Sequence, residues 1–297
     1  MFEDVPVAVF RSANRRECNE RLLVLTAVGV EAIVAAAPSG EFVLQVAPGD
    51  AEYAVRHLLQ YDAENRPPPP LPPPPALYGK AWIGCALYVA VLVGVAWVLS
   101  NGLVRLDAFD LGELDAARVQ AGEWWRAWTA LTLHLDAAHL AANLGAGTWF
   151  GYLAARQMGG GTAWLITVTG AALANLLEGL LGPPGHRAVG ASTAVFSALG
   201  AMSAYSWRER FALPQRWARR WGPLVAGVIL LGWTGAGGEG TDVDVVAHLG
   251  GFAVGAVLGA LAALPRSQRV VRRVPQWLQG AAALGSIALA WAWALAS

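Results

Sequence analysis

Seven nearly uninterrupted apolar stretches, each close to the ~20 residues a helix needs to cross a bilayer, constrain this chain more than anything else in it. They centre on residues 81–100, 137–155, 161–177, 190–207, 221–236, 245–264 and 277–296. Of the 297 residues, 56% are apolar and 14% charged, an excess that an ordinary water-soluble domain does not show. The sequence therefore predicts an α-helical polytopic membrane protein. The formal net charge is zero, so no global basic field points to nucleic acid as a partner. Two widely separated cysteines, Cys18 and Cys85, support neither a disulfide framework nor a zinc ribbon.

Ahead of the first apolar stretch, residues 1–63 alternate between strand and helix patterns. Residues 5–10 alternate like a strand, and Leu22, Leu23, Leu25 and Val28 have helical spacing. Two apolar runs flank Pro38-Ser39-Gly40 as a hairpin, and Asp50 stands as an N-cap for a last helix. The order βαββα predicts a small soluble, cytoplasmic α/β domain. His57, within its last helix, reads as a surface or packing residue. No cleavable signal pattern precedes this domain. Residues 64–77 contain the run PPPPLPPPP, a stiff extended spacer that marks a boundary.

Arginines set the expected orientation. Arg208, Arg210, Arg216, Arg219 and Arg220 fall between the fourth and fifth stretches, and Arg266, Arg269, Arg272 and Arg273 between the sixth and seventh. Basic loops stay cytoplasmic, whereas the loop with Glu239, Asp242 and Asp244 suits the opposite side. Counting back places the N-terminus in the cytoplasm. Residues 101–136 mix Arg105, Arg118 and Arg126 with six acidic residues and carry Trp124, Trp125 and Trp128 towards their end. That pattern predicts short helices in the membrane interface, with the tryptophans as anchors and Arg126 turned to lipid phosphates or to Glu123.

Polar residues inside apolar spans are costly and often mark function. Three clusters stand out. His134, His139 and Asn143 open the second span, His139 and Asn143 four apart on one helical face. Gly190 and Ser192 open the fourth, where the unpaired N–H groups of a helix start favour a developing anion; Phe196 follows one turn on. His248 stands early in the sixth, one turn before Gly251, Gly255 and Gly259, a stripe that lets another helix approach closely. Each cluster alone also has a helix-packing reading, which for the third explains the glycines but not His248.

Together they resemble the rhomboid family of intramembrane serine proteases. The family's H-x4-H-x3-N pattern is matched by His134, His139 and Asn143, its G-x-S by Gly190, Ala191 and Ser192. Its A-H-x-x-G-x-x-x-G is matched by Ala247, His248, Gly251 and Gly255, and its E-x-W-R by Glu123, Trp125 and Arg126. Thr193 departs from the family, which usually has glycine there. The resemblance implies a six-helix protease domain over residues 78–264, followed at 265–297 by a cytoplasmic loop and an added seventh helix. It implies a Ser192–His248 dyad, an oxyanion site from the Ser192 N–H, His139 and Asn143, and supporting roles for His134, Gly190, Phe196, Gly251 and Gly255. No cofactor and no metal is implied, since the histidines lie in no zinc-ligand motif. Substrates would be transmembrane helices of proteins in a bacterial inner membrane, with the site opening to the outer side. A relative that binds such helices without cutting them is the alternative, and a transporter is disfavoured for want of an inverted repeat.

Overall fold

The computed structural model of the chain describes residues 5–65, 77–102, 107–211, 217–235 and 244–297. The proline run, Arg105, Arg216, Glu239 and Asp242 lie outside the described residues. Contacts divide the chain into two compact units, Met1–Pro72 and Pro73–Ser297.

The first unit contains β1 (Val7–Ser12), α1 (Arg15–Ala27), β2 (Ala32–Ala36), β3 (Phe42–Val46) and α2 (Ala51–Glu64). The sheet is antiparallel in the order β1-β3-β2. Gly40, at a φ of 86°, turns β2 into β3, a conformation that glycine adopts without strain. Leu25, Leu44, Val46, Ala54 and Leu58 form the core. Asn14 caps α1 by accepting from the Arg16 N–H at 3.0 Å. The expected cap at Asp50 differs: the residue ends a 3₁₀ turn, Pro48–Asp50, and its side chain makes no capping bond. His57 is half-buried against Tyr53, ring centroids 4.4 Å apart.

The second unit opens with α3 (Trp82–Ser100). Short pieces follow: α4 (Ala108–Gly112), β4 (Leu114–Asp115), α5 (Ala116–Gln120) and α6 (Arg126–Thr129). Then come α7 (Ala137–Met158), α8 (Gly160–Leu181), β5 (Arg187–Ala188), α9 (Ser192–Phe211), α10 (Trp217–Gly235), α11 (Val245–Ala262), α12 (Pro265–Val271) and α13 (Gln276–Ala294). Among the described residues, three helices are long and apolar enough to cross a membrane: α3, α8 and α11, with mean hydropathies of 2.3, 1.5 and 2.0. The other long helices, α7, α9, α10 and α13, have the length but carry residues such as Asn143, Ser197, Arg219 and Gln279. Those residues lower apolarity, and several are used in packing between helices.

α9 and α11 approach closely along a seam of small residues. A Cβ added at Gly251, Gly255 or Gly259 would fall on the carbonyl oxygen of Thr193, Ser197 or Ala201 respectively. Each partner advances by four residues, one helical turn, so two small-residue stripes run against each other. Gly200 answers from the other side, its added Cβ falling on the Phe252 carbonyl.

Of the two partners expected for Arg126 the structure gives Glu123, and the expected interfacial place of Trp125 needs correction. Arg126 does not face lipid: it is 1% exposed. Its Nε donates to Glu123 at 2.6 Å, while Nη1 and Nη2 donate to the carbonyls of Glu113 (2.9 Å) and Asp110 (2.7 Å). A guanidinium with this many fixed acceptors pins a loop together. Trp125 is likewise buried, packed with Trp128 on Ala290 and Ala294 of α13, and only Trp124 of the pair is exposed. The seventh helix is thus part of the unit's core. Its Gln279 accepts from the Thr162 hydroxyl at 2.8 Å, and the Trp291 indole donates to Thr132 at 3.0 Å.

Candidate active site

The site is built on the segment entering α9. β5 pairs with β4, Leu114 opposite Ala188 and Asp115 opposite Arg187, and the Ala116 N–H donates to the His186 carbonyl at 3.1 Å. Arg187 reinforces the pairing through Glu113 at 2.9 Å and Asp115 at 3.4 Å. Two residues later the Gly190 N–H donates to the Ala130 carbonyl at 3.0 Å. Gly190 has a φ of 128°, which side-chain-bearing residues rarely adopt, and its missing Cβ leaves room for a histidine. An atom there would lie 2.7 Å from Cε1 and Nε2 of His139 and 3.5 Å from Nδ2 of Asn143.

The residues opposite come from the start of α7. Asp136 caps that helix, its carboxylate accepting from the His139 N–H at 2.8 Å. His139 and Asn143, one turn apart, then face the Gly190 backbone. Asn143 is 5% exposed, and its Nδ2 has no acceptor among the described residues. The backbone at this turn is held by Tyr88 of α3, whose hydroxyl donates to the Asn143 carbonyl at 2.8 Å. Tyr88 fits because Gly147, one turn further along α7, leaves its ring the space a Cβ would take. Nothing in the sequence marked Tyr88 as a neighbour of the cluster.

His134 lies outside α7, in the loop before it, where the sequence placed it at the head of the span. Its Nε2 accepts from the Ala191 N–H at 3.4 Å, and its ring meets His139 with centroids 5.1 Å apart. Burial, and then the neighbouring His139, push the His134 imidazole down to about 4. It stays neutral at ordinary pH and keeps the lone pair that receives Ala191.

Ser192 is the first residue of α9 and is half-buried. Its helix partner across the seam is α11, whose start is capped by Asp244, accepting from the Ala247 N–H at 2.9 Å. Thr193 abuts Gly251, so Ser192, one residue before Thr193, and His248, three before Gly251, stand at the same level of the seam. His248 is 7% exposed and packs on Phe196, ring centroids 4.4 Å apart at an interplanar angle of 38°. Phe196 is in turn held by Phe150, Leu199, Leu231 and Phe252. Thr193, where the family has glycine, is 3% exposed; its carbonyl and methyl fill the space over Gly251.

The structure therefore draws Gly190, Ser192, Phe196, His248, Gly251, His134, His139 and Asn143 around the entry to α9. Gly255 lies one turn deeper in the seam. Glu123, Trp125 and Arg126 belong to the loop beneath, not to this cluster. An apolar cavity of about 730 Å³ between α3, α8 and α13 reaches Ala191 and Ala194, but neither Ser192 nor His248 lines it. The polar cluster can supply a hydroxyl at a helix N-terminus, an imidazole across from it, and an amide donor without an acceptor: the parts of acyl transfer.

Comparison with known proteins points the same way. The rhomboid domain family matches residues 121–265, which include every residue of the cluster. Rhomboid protease GluP of Bacillus subtilis (strain 168) is 28% identical over 193 residues, covering 63% of this chain and 36% of that protein. RHOMBOID-like protein 1 of Arabidopsis thaliana is 31% identical over 150 residues, 50% of this chain and 37% of that protein. The chain spans little more than a third of the length of these relatives.

Proposed function

The chain belongs to the rhomboid family, and from that membership we propose that it is an intramembrane serine endopeptidase working through a Ser192–His248 dyad. The observation that carries the reading is the contact of His248 with Phe196, one helical turn after Ser192, which holds the imidazole on the face of α9 where the hydroxyl stands. Ser192 Oγ attacks the scissile carbonyl carbon while the His248 imidazole takes its proton. The resulting oxyanion is met by the Ser192 N–H, at the positive end of α9, and by Asn143 and His139. The tetrahedral species collapses as the imidazolium gives its proton to the leaving amine. Water, deprotonated by the same imidazole, then hydrolyses the acyl-enzyme and restores Ser192. The Phe196 ring, tilted 38° to the imidazole with centroids 4.4 Å apart, orients the base here.

The substrates are transmembrane helices that unwind locally, because a helical peptide bond is shielded by its own turn. Small or helix-breaking residues near the cut favour them. In this reading the chain has six spans in a protease domain at 78–264 and a seventh after the basic loop, with residues 1–63 cytoplasmic, 64–77 a linker, and the site open to the outer side of a bacterial inner membrane. The bilayer itself is the other partner.

A fluorophosphonate probe tests the proposal on purified full-length protein in detergent. Wild type is expected to label at its serine, and Ser192→Ala or His248→Ala to abolish labelling. Undiminished labelling of Ser192→Ala would overturn the assignment. Wild type that resists the probe would instead favour a rhomboid-like binder of transmembrane helices that does not cut them.

A further inference from the structure

At the end of α8 and the start of α11, three ionisable side chains from three separate elements converge. Glu178 comes from the last turn of α8, His186 from the loop before β5, and Asp244 from the N-cap of α11. One donor atom from each lies within 4.8 Å of the others. The His186 Nε2 is 3.3 Å from Oε1 of Glu178 and 3.3 Å from Oδ2 of Asp244.

These contacts are poor hydrogen bonds and good ligand spacings. A charge-assisted N–H···O bond closes to about 2.7–2.9 Å, and neither contact has hydrogen-bond geometry: His186 Nε2, both Glu178 oxygens and Asp244 Oδ2 have no hydrogen-bond partner among the described residues. Donors bound at about 2.0–2.1 Å around one tetrahedral ion, by contrast, stand about 3.3–3.4 Å apart. The Glu178 side chain is 6% exposed, so its carboxylate is aimed into the cluster and away from water. Two carboxylates this close repel, and burial raises the cost of leaving them uncompensated. The nearest arginine in sequence, Arg187, is committed to Glu113 and Asp115. Among the described residues His186 is the ion-pair partner shared by both carboxylates, and no lysine or arginine pairs with either.

We propose that Glu178, His186 and Asp244 form a binding site for a divalent transition-metal ion, zinc(II) being the ion whose donor preferences they match. One imidazole nitrogen and two carboxylate oxygens are ligands zinc accepts, and three protein ligands leave a fourth position for water. The asparagine-like capping bond of Asp244 uses its other oxygen, Oδ1, so the helix cap and the ligand role coexist. The ion ties the segment that leads through β5 to Ser192 onto the helix that carries His248, and sets the spacing of the two from outside the reacting cluster. This site is independent of the protease assignment and distinct from the histidines His134, His139 and His248.

Zinc binding to the full-length protein in detergent tests it. Protein stripped with a chelator is equilibrated with zinc chloride, desalted, and its metal content and binding isotherm are measured. Wild type is expected to retain one equivalent, and His186→Ala and Glu178→Gln to weaken binding by at least about tenfold through loss of one of three ligands. His248→Ala is expected to bind as wild type does. Because Glu178→Gln keeps the side chain's shape, its melting temperature with and without zinc gives a second reading: at equal zinc concentration, zinc should raise that of wild type more than the variant's. Wild type that retains no zinc would overturn the proposal, and so would retention that survives His186→Ala but is lost in His248→Ala.

Discussion

At the scale of single residues, the informative atom is the Asn143 amide. It is buried, its backbone is clamped by Tyr88, and its Nδ2 has no acceptor among the described residues. A buried donor left without a partner is costly unless a ligand completes it. Under the proposed mechanism that ligand is the oxyanion, so Asn143→Ala should lower the turnover of a transmembrane substrate by roughly 10²–10³-fold, as loss of one such donor does elsewhere. Thermal stability should hold or rise, because the variant loses an unsatisfied group. Equal loss of activity and of folding would show that Asn143 serves structure alone. The spacing of His139 and Asn143 was legible as one helical face. That the amide would be left without a partner was not, because it depends on what Gly190 and Tyr88 bring to the other side.

At the scale of elements, the α9–α11 seam decides the geometry. The glycine stripe at 251, 255 and 259 was readable as a surface for close approach, but its partner was not, since α7, α8 and α9 all carry small residues. The structure pairs it with Thr193, Ser197 and Ala201. A side chain at Gly255 would push against the Ser197 backbone, which cannot yield without moving Ser192 relative to His248. Gly255→Val is therefore expected to cost on the order of 3 kcal/mol of stability and to abolish probe labelling. Gly94 of α3, with nothing within 4 Å of an added Cβ, is the contrast. Gly94→Ala should leave both properties unchanged within about 1 kcal/mol, as an open helical site does. Paired melting and labelling of the two variants checks this; equal tolerance at both positions would contradict the seam's role.

At the scale of the whole molecule, the C-terminal helix α13 is wired to the loop that precedes the site. Trp291 fills the space over Gly112 and donates to the Thr132 hydroxyl, two residues before His134. Trp291→Ala should lower the melting temperature by several degrees, a half-buried indole being worth about 2 kcal/mol or more, and should slow labelling of Ser192. Labelling at the wild-type rate would mean that α13 supports the fold without reaching the site. Sequence alone determined what local spacing and transfer energy encode: long helices, of which α3, α8 and α11 are apolar enough to cross a membrane, the βαββα order of the first unit, the helix start at Ser192, and motifs that share a helical face. Those follow from periodicities of two and 3.6 residues and from the length of a bilayer-crossing helix. Tertiary structure decided whatever needed two or more elements to meet. It chose Glu123 over lipid as the partner of Arg126, buried Trp125 that a linear reading sent to the membrane surface, and set Phe196 against His248. It also returned the feature the sequence passed over: Glu178, His186 and Asp244 belong to no motif, yet the ends of α8 and α11 and the loop between α8 and β5 converge there, so their charges share one space.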